Sequence, residues 1–140
     1  MSPSASPGYS GRSLQQKLGI KPGFRVFVVG APTPYDKMVG KLPAGASIVS
    51  RATSGLDVVH IFAPERKALA GALARHRDAV EPDGMIWISW PKKASKLPTD
   101  LTDNVLREVA LPLGLVDVKV CAVDATWSGL KFVIRRELRA

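Results

Sequence analysis

Within Trp90-Pro91-Lys92-Lys93-Ala94-Ser95 the chain collects two ammonium groups, a hydroxyl and an indole. With a helix start a few residues further on, Lys92, Lys93 and Ser95 suit a phosphate or carboxylate, and Trp90 suits stacking on a base. The same residues also fit a plainer role, as a surface loop of solvated lysines above a core tryptophan. A second set is Asp124-Ala125-Thr126-Trp127-Ser128-Gly129. Here Trp127 serves either as the wall of a pocket, with Ser128 beside it, or as a cover for one end of the core. Asp124 and Thr126 also fit as turn stabilisers. A third place is Gly30, which ends an apolar run and is followed by Pro32 and Pro34. A dinucleotide fingerprint needs three spaced glycines whose free N–H groups hold a pyrophosphate. Two prolines remove two donors, which argues against a standard NAD or FAD loop.

Catalytic sets are thin. There is no Gly-x-Ser-x-Gly elbow. His60 falls in an apolar run and His76 in a helical pattern, and both read as structural. One cysteine and two histidines, with no paired-ligand spacing, give no support for a metal site. Asp103 and Glu108 are too far round one helix to act together.

The bulk properties narrow the setting. A chain of 140 residues is long enough for one core. No apolar run approaches the roughly 20 residues that span a bilayer, and the N-terminus lacks a basic, then apolar, leader. Cys121 alone forms no internal disulfide and reads as a small core residue, so a reducing cytoplasm is expected. The net charge of +8 and pI of about 10.0 raise nucleic acid, a phosphorylated ligand or an acidic protein as partners, without a membrane. The charge is spread, with Lys92, Lys93 and Lys96 as the tightest internal cluster.

The elements that would position these groups follow from pattern. Residues 1–11, rich in Ser, Pro and Gly, read as a flexible tail, and 12–140 as a single domain. Ser13 and Gln16 have capping-box spacing, which predicts a helix near 13–18 closed by Gly19. Arg25 to Gly30 reads as a buried parallel strand. Residues 35–46 read as a long loop or one irregular turn, Ser47 to Arg51 as a weak strand, and Asp57 to Phe62 as a strong one. Pro64 opens a helix, residues 81–84 form a turn, and Met85 to Trp90 is the next strand. Thr99 or Thr102 caps a further helix, whose buried stripe is Leu101, Val105 and Val109, ended by Pro112 and Gly114. Asp117 to Asp124 and Leu130 to Arg136 make a hairpin, with Val118, Val120 and Ala122 facing one way, as do Leu130, Phe132 and Ile134.

Strands alternating with helices in this order predict an α/β, Rossmann-like three-layer domain, mostly parallel and ending in an antiparallel hairpin. Ligands of such sheets bind beyond the C-terminal strand ends. Those ends are residues 30–34, 63–64, 90–95 and 124–129. The candidate binding set is therefore Gly30, Pro32, Trp90, Lys92, Lys93, Ser95, Asp124, Trp127 and Ser128.

Leu18 to Pro32 resembles the approach to the first strand of class I S-adenosylmethionine-dependent methyltransferases, and Val80 to Ser89 resembles their pre-strand turn and late central strand. Residues 9–136 as a whole resemble a family of small bacterial proteins catalogued as a domain of unknown function. The residues that carry this are Leu18 to Lys21, Gly30 to Pro32, Trp90 to Lys93, Thr99 to Thr102, Ala110 to Lys119, Cys121 to Asp124 and Thr126 to Leu130. The resemblance implies a shortened methyltransferase fold and brings no assigned activity. The methyltransferases usually carry a Gly-x-Gly loop after the first strand and an acidic residue after the second. This chain has Gly30-Ala31-Pro32 and Ser50-Arg51 there, so the ordinary cofactor loop is not expected. The leading expectation is a non-catalytic binding module for an anionic or nucleotide-like ligand at the strand ends. The alternatives are an interaction factor for protein or nucleic acid using the basic surface, and a divergent methyltransferase.

Overall fold

A computed structural model describes residues 13–139. The tail expected over 1–11 lies outside the described residues. Ser13 caps α1 (Leu14–Leu18) by the expected reciprocal bonds: its hydroxyl accepts from the Gln16 N–H, and the Gln16 side chain accepts from the Ser13 N–H. The elements that follow are β1 (Arg25–Val29), α2 (Tyr35–Val39), β2 (Ser47–Ile48), β3 (Leu56–Phe62), α3 (Arg66–His76), β4 (Val80–Pro91), α4 (Asp103–Ala110), β5 (Leu115–Ala122) and β6 (Trp127–Ile134).

They build one six-stranded sheet in the order β2-β1-β3-β4-β6-β5. β2, β1, β3 and β4 run parallel, and β6 pairs antiparallel with both β4 and β5. The expected α/β, mostly parallel architecture with a terminal antiparallel hairpin is the one observed. β6, the later strand of the hairpin, takes the inner place.

Alternate residues of each strand point to opposite faces. One face carries Val59, Ile61, Ile86, Ile88, Trp90, Leu130, Phe132 and Ile134 and packs on α3 and α4 through Leu69, Leu73 and Leu106. The other carries Val26, Val58, Phe62 and Trp87 and packs on α1 and α2 through Leu18, Tyr35 and Val39. The Trp87 indole N–H donates to the Leu18 carbonyl at 2.9 Å, which ties the end of α1 to the middle of the sheet.

Several local expectations differ. The stretch expected as a loop after residue 34 contains α2, because Gln15 of α1 donates its side-chain amide to the carbonyls of Val39 and Lys41 and holds that turn. The helix expected from Pro64 begins at Arg66, with the Asp100 carboxylate accepting from the Arg66 N–H at 2.7 Å in place of a local cap. Residues 81–84 are not a free turn. They form extra length in β4, since Leu56 pairs with Val80 but Val58 with Met85. The fully buried positions of α4 are Leu106 and Ala110, with Val105 and Val109 only partly covered. Leu130, Phe132 and Ile134 are buried as expected. Val118 and Val120 are 51% and 59% exposed, because β5 is an edge strand with a register shift between Asp117 and Lys119. Cys121 is half-buried rather than a core residue.

Candidate functional site

Every candidate residue lies at one edge of the sheet, the C-terminal ends of the parallel strands. β6 runs antiparallel, so it starts at that edge: Trp127 pairs with Pro91 and Ser128 with Trp90. The Thr126 carbonyl accepts from the Lys92 N–H at 2.7 Å, which joins the two loops. The strand order reverses between β1 and β3, and such a reversal is where open α/β sheets bind ligands. The facing ends there are Gly30 and Phe62-Ala63. Gly30 has φ +71, and a Cβ on it would meet the Phe62 carbonyl oxygen at 2.7 Å. Both the left-handed backbone and the close approach require glycine.

The edge is nevertheless divided by the sheet itself. Trp90 belongs to the α3/α4 face. Trp127 belongs to the other, where its ring meets Phe62 edge-on at 5.4 Å. The two tryptophans therefore cannot form one pocket.

On the α3/α4 side a cleft of about 360 Å³ is lined by Trp90, Pro91, Lys93, Thr99, Leu101, Thr102 and Asp103. Thr99 also borders a neighbouring hollow of about 330 Å³ with Pro64, Glu65, Pro98 and Asp100. Trp90 is 9% exposed, so only a small part of its indole faces the cleft. The start of α4, expected to assist an anion, is already occupied. The Thr102 hydroxyl accepts from the Val105 N–H and the Asp103 carboxylate from the Asn104 N–H. Ser95 is also spoken for: its hydroxyl donates to the Lys92 carbonyl at 2.6 Å and accepts from the Leu97 N–H. Positive charge in the cleft thus comes from Lys93. The cleft's own carboxylate, Asp103, is paired with Arg107 at 3.3 Å, and Asp100 caps α3.

In the β5–β6 loop, one Asp124 carboxylate oxygen accepts from the N–H groups of Thr126 and Trp127, each at 2.8 Å. This is the turn-stabilising role.

On the α1/α2 side the structure assembles a group that composition did not single out. His60 and Ser89 are fully buried. His60 Nδ1 lies 2.8 Å from the Tyr35 hydroxyl and Nε2 lies 2.7 Å from the Ser89 hydroxyl. A neutral imidazole has one donor and one acceptor nitrogen, so one hydroxyl donates to the ring and the other accepts from it. Burial pushes the His60 pKa down to about 3, which keeps the ring neutral. Burial likewise pushes the Tyr35 pKa up. Phe62 stacks on the imidazole at 4.2 Å. The signal available in sequence was a histidine inside a strand, and its structural role was legible. Its partners were not, because Tyr35 is 25 positions away and Ser89 is 29.

No three His, Cys, Asp or Glu side chains converge as a metal site among the described residues. No described helix is long and apolar enough to cross a membrane.

Solved structures place this architecture. A methyltransferase dependent on S-adenosylmethionine from Aquifex aeolicus superposes with a TM-score of 0.61 at 14% identity, covering 86% of this chain and 88% of that one. A TehB-like methyltransferase from Corynebacterium glutamicum gives 0.53 at 13% identity, over 87% of this chain and 85% of that one. Aeropyrum pernix fibrillarin with bound S-adenosyl-L-methionine gives 0.53 at 12% identity, over 81% and 68%. No protein-family profile and no curated protein matches the chain. The chain has the Rossmann-like fold of S-adenosylmethionine-dependent methyltransferases.

Proposed function

We propose that this chain is a methyltransferase-fold protein that binds a small anionic, nucleotide-like molecule at the C-terminal edge of its sheet. The observation that carries the reading is the cleft over Trp90 and Leu101 with Lys93 at its side. It offers an apolar floor for a flat ring and one ammonium for an anionic group, with its own carboxylate already paired. Lys92 and Asp124 lie in the adjoining loops, Ser128 pairs with Trp90 at the start of β6, and Gly30 and Pro32 lie beyond the end of β1, on the far side of β3. A ligand-binding role in the cytoplasm is part of this reading.

The residues at the β1 and β2 ends do not fit the ordinary S-adenosylmethionine cradle. Pro32 and Pro34 lack the N–H groups such a loop would present, and Arg51 stands where an acidic residue would hold ribose hydroxyls. A second reading, a divergent methyltransferase, is favoured by the fold it shares with cofactor-bound neighbours and by the tight glycine turn kept at Gly30.

A thermal-shift panel of adenine and guanine nucleotides, dinucleotides, coenzyme A, S-adenosylmethionine and its demethylated product tests both. A ligand at 100 times its Kd stabilises by about 2.7 kcal/mol. A nucleotide response lost in Lys93→Ala supports the first reading. A response confined to the two adenosyl sulfur compounds moves it to the second. No response to any member overturns both.

A further inference from the structure

Three lysines far apart in sequence meet on the α1/α2 face. Lys131 pairs directly with Lys119 across β6 and β5, and with Trp87 across β6 and β4. Trp87 holds the end of α1 through the Leu18 carbonyl, and Lys21 follows three residues later. Lys119 and Lys21 are exposed, while Lys131 is half-buried. Burial and the charges of Lys119 and Lys21 all push the Lys131 pKa down. On the same row system, Lys17 and Lys119 both act on the thiol of Cys121.

This arrangement opposes stability. Like charges directly opposite on neighbouring strands repel. Lys119 has a structural explanation, since a lysine on an edge strand deters sheet-to-sheet pairing. Lys131 has none, because β6 is an interior strand between β4 and β5. The ion pairs between described residues use Arg66, Arg77, Arg107 and Arg135, and none draws on Lys21, Lys119 or Lys131.

We infer that Lys21, Lys119 and Lys131 form a binding surface for the phosphodiester backbone of a single-stranded nucleic acid. The ammonium groups are point charges on flexible stems, suited to phosphate oxygens without bidentate geometry. Side chains on adjacent strands start about 5 Å apart, so the two β-strand lysines reach neighbouring phosphates. The net charge of +8 draws a polyanion towards the patch. This surface is distinct from the cleft at Trp90, which lies on the opposite face.

The test is fluorescence anisotropy of the full chain with a labelled 12-nucleotide oligo(dT) or oligo(rU). Three phosphate contacts predict a slope of log K against log salt of about −2, so raising salt from 50 to 200 mM weakens binding by about 20-fold. Lys119→Thr with Lys131→Thr should weaken binding at least about tenfold and bring the slope to about −0.7. The same variant should melt at or above the wild-type temperature, because the opposed charges are gone while β-propensity is kept. Lys131→Gln alone provides a milder version should the double change disturb the fold. Lys67→Thr with Arg75→Thr removes equal charge from the far face, on α3, and should leave affinity within about twofold. Absence of binding by the wild type at 50 mM salt, or equal losses in the two double variants, overturns the assignment.

Discussion

The two faces of this sheet solve burial differently. Against α3 and α4 the strands present an almost wholly apolar surface, met on the helix side by the buried, unpartnered Nδ1 of His76, and the candidate binding chemistry sits at the rim, in the Trp90–Asp103 cleft. Against α1 and α2 the apolar layer contains a buried polar chain, Tyr35–His60–Ser89, and grades into a lysine row over the hairpin. Burying a polar group costs least when it is hydrogen-bonded, and both nitrogens of the His60 imidazole are. The difference teaches where each face is expendable. Changes beneath α1 and α2 should act on stability, and changes at the cleft on binding.

The largest effect is expected from Trp87→Ala. It removes a fully buried indole and leaves the Leu18 carbonyl without its donor, so unfolding in urea should show a loss of about 3–5 kcal/mol. A loss under 1 kcal/mol would mean that α1 is not anchored through this residue.

His60→Leu strands two buried hydroxyls, at about 1–3 kcal/mol each. It also has a pH signature. The folded pKa of His60 is depressed to about 3 from an ordinary 6.5, so the unfolded chain binds more protons between those values. The stability contributed by the neutral ring is present above about pH 6.5 and is lost as pH falls towards 3, at up to about 1.4 kcal/mol per pH unit. The variant should lack that part of the acid limb in a pH series of melting curves. An acid limb identical to the wild type's would dissociate His60 from it.

Gly30→Ala should cost about 1–2 kcal/mol from the left-handed backbone alone, and more from the 2.7 Å approach to the Phe62 carbonyl. Denaturant midpoints report it; an unchanged midpoint would require the β1 and β3 ends to separate freely. Lys93→Ala at the cleft sits at the other extreme. Thermal melts should shift by less than the equivalent of about 0.5 kcal/mol, while nucleotide affinity measured by calorimetry falls. Equal loss of stability would erase the contrast between the two faces.

Much of the architecture was readable from local pattern. The Ser13 and Gln16 capping box, the apolar strands at Arg25–Val29 and Leu56–Phe62, and the Thr102 cap all depend on residues within a few positions of one another. The candidate residues gather at one sheet edge, because strand direction decides which ends meet there. What failed depended on distant partners. α2 exists because Gln15 reaches its end, and α3 starts two residues later than proline suggested because Asp100 caps it from another loop.

By itself, then, the sequence determined the order and type of the elements other than α2 and the early part of β4, and the edge at which ligand chemistry could sit, since periodicity and caps are local. Only the tertiary structure decided that Trp90 and Trp127 lie on opposite faces and that His60 meets Tyr35 and Ser89. The same holds for the meeting of Lys119 with Lys131, which the sequence separates by a hairpin. Strand register and face are set by packing between segments far apart in the chain, and a one-residue slip would exchange the two faces.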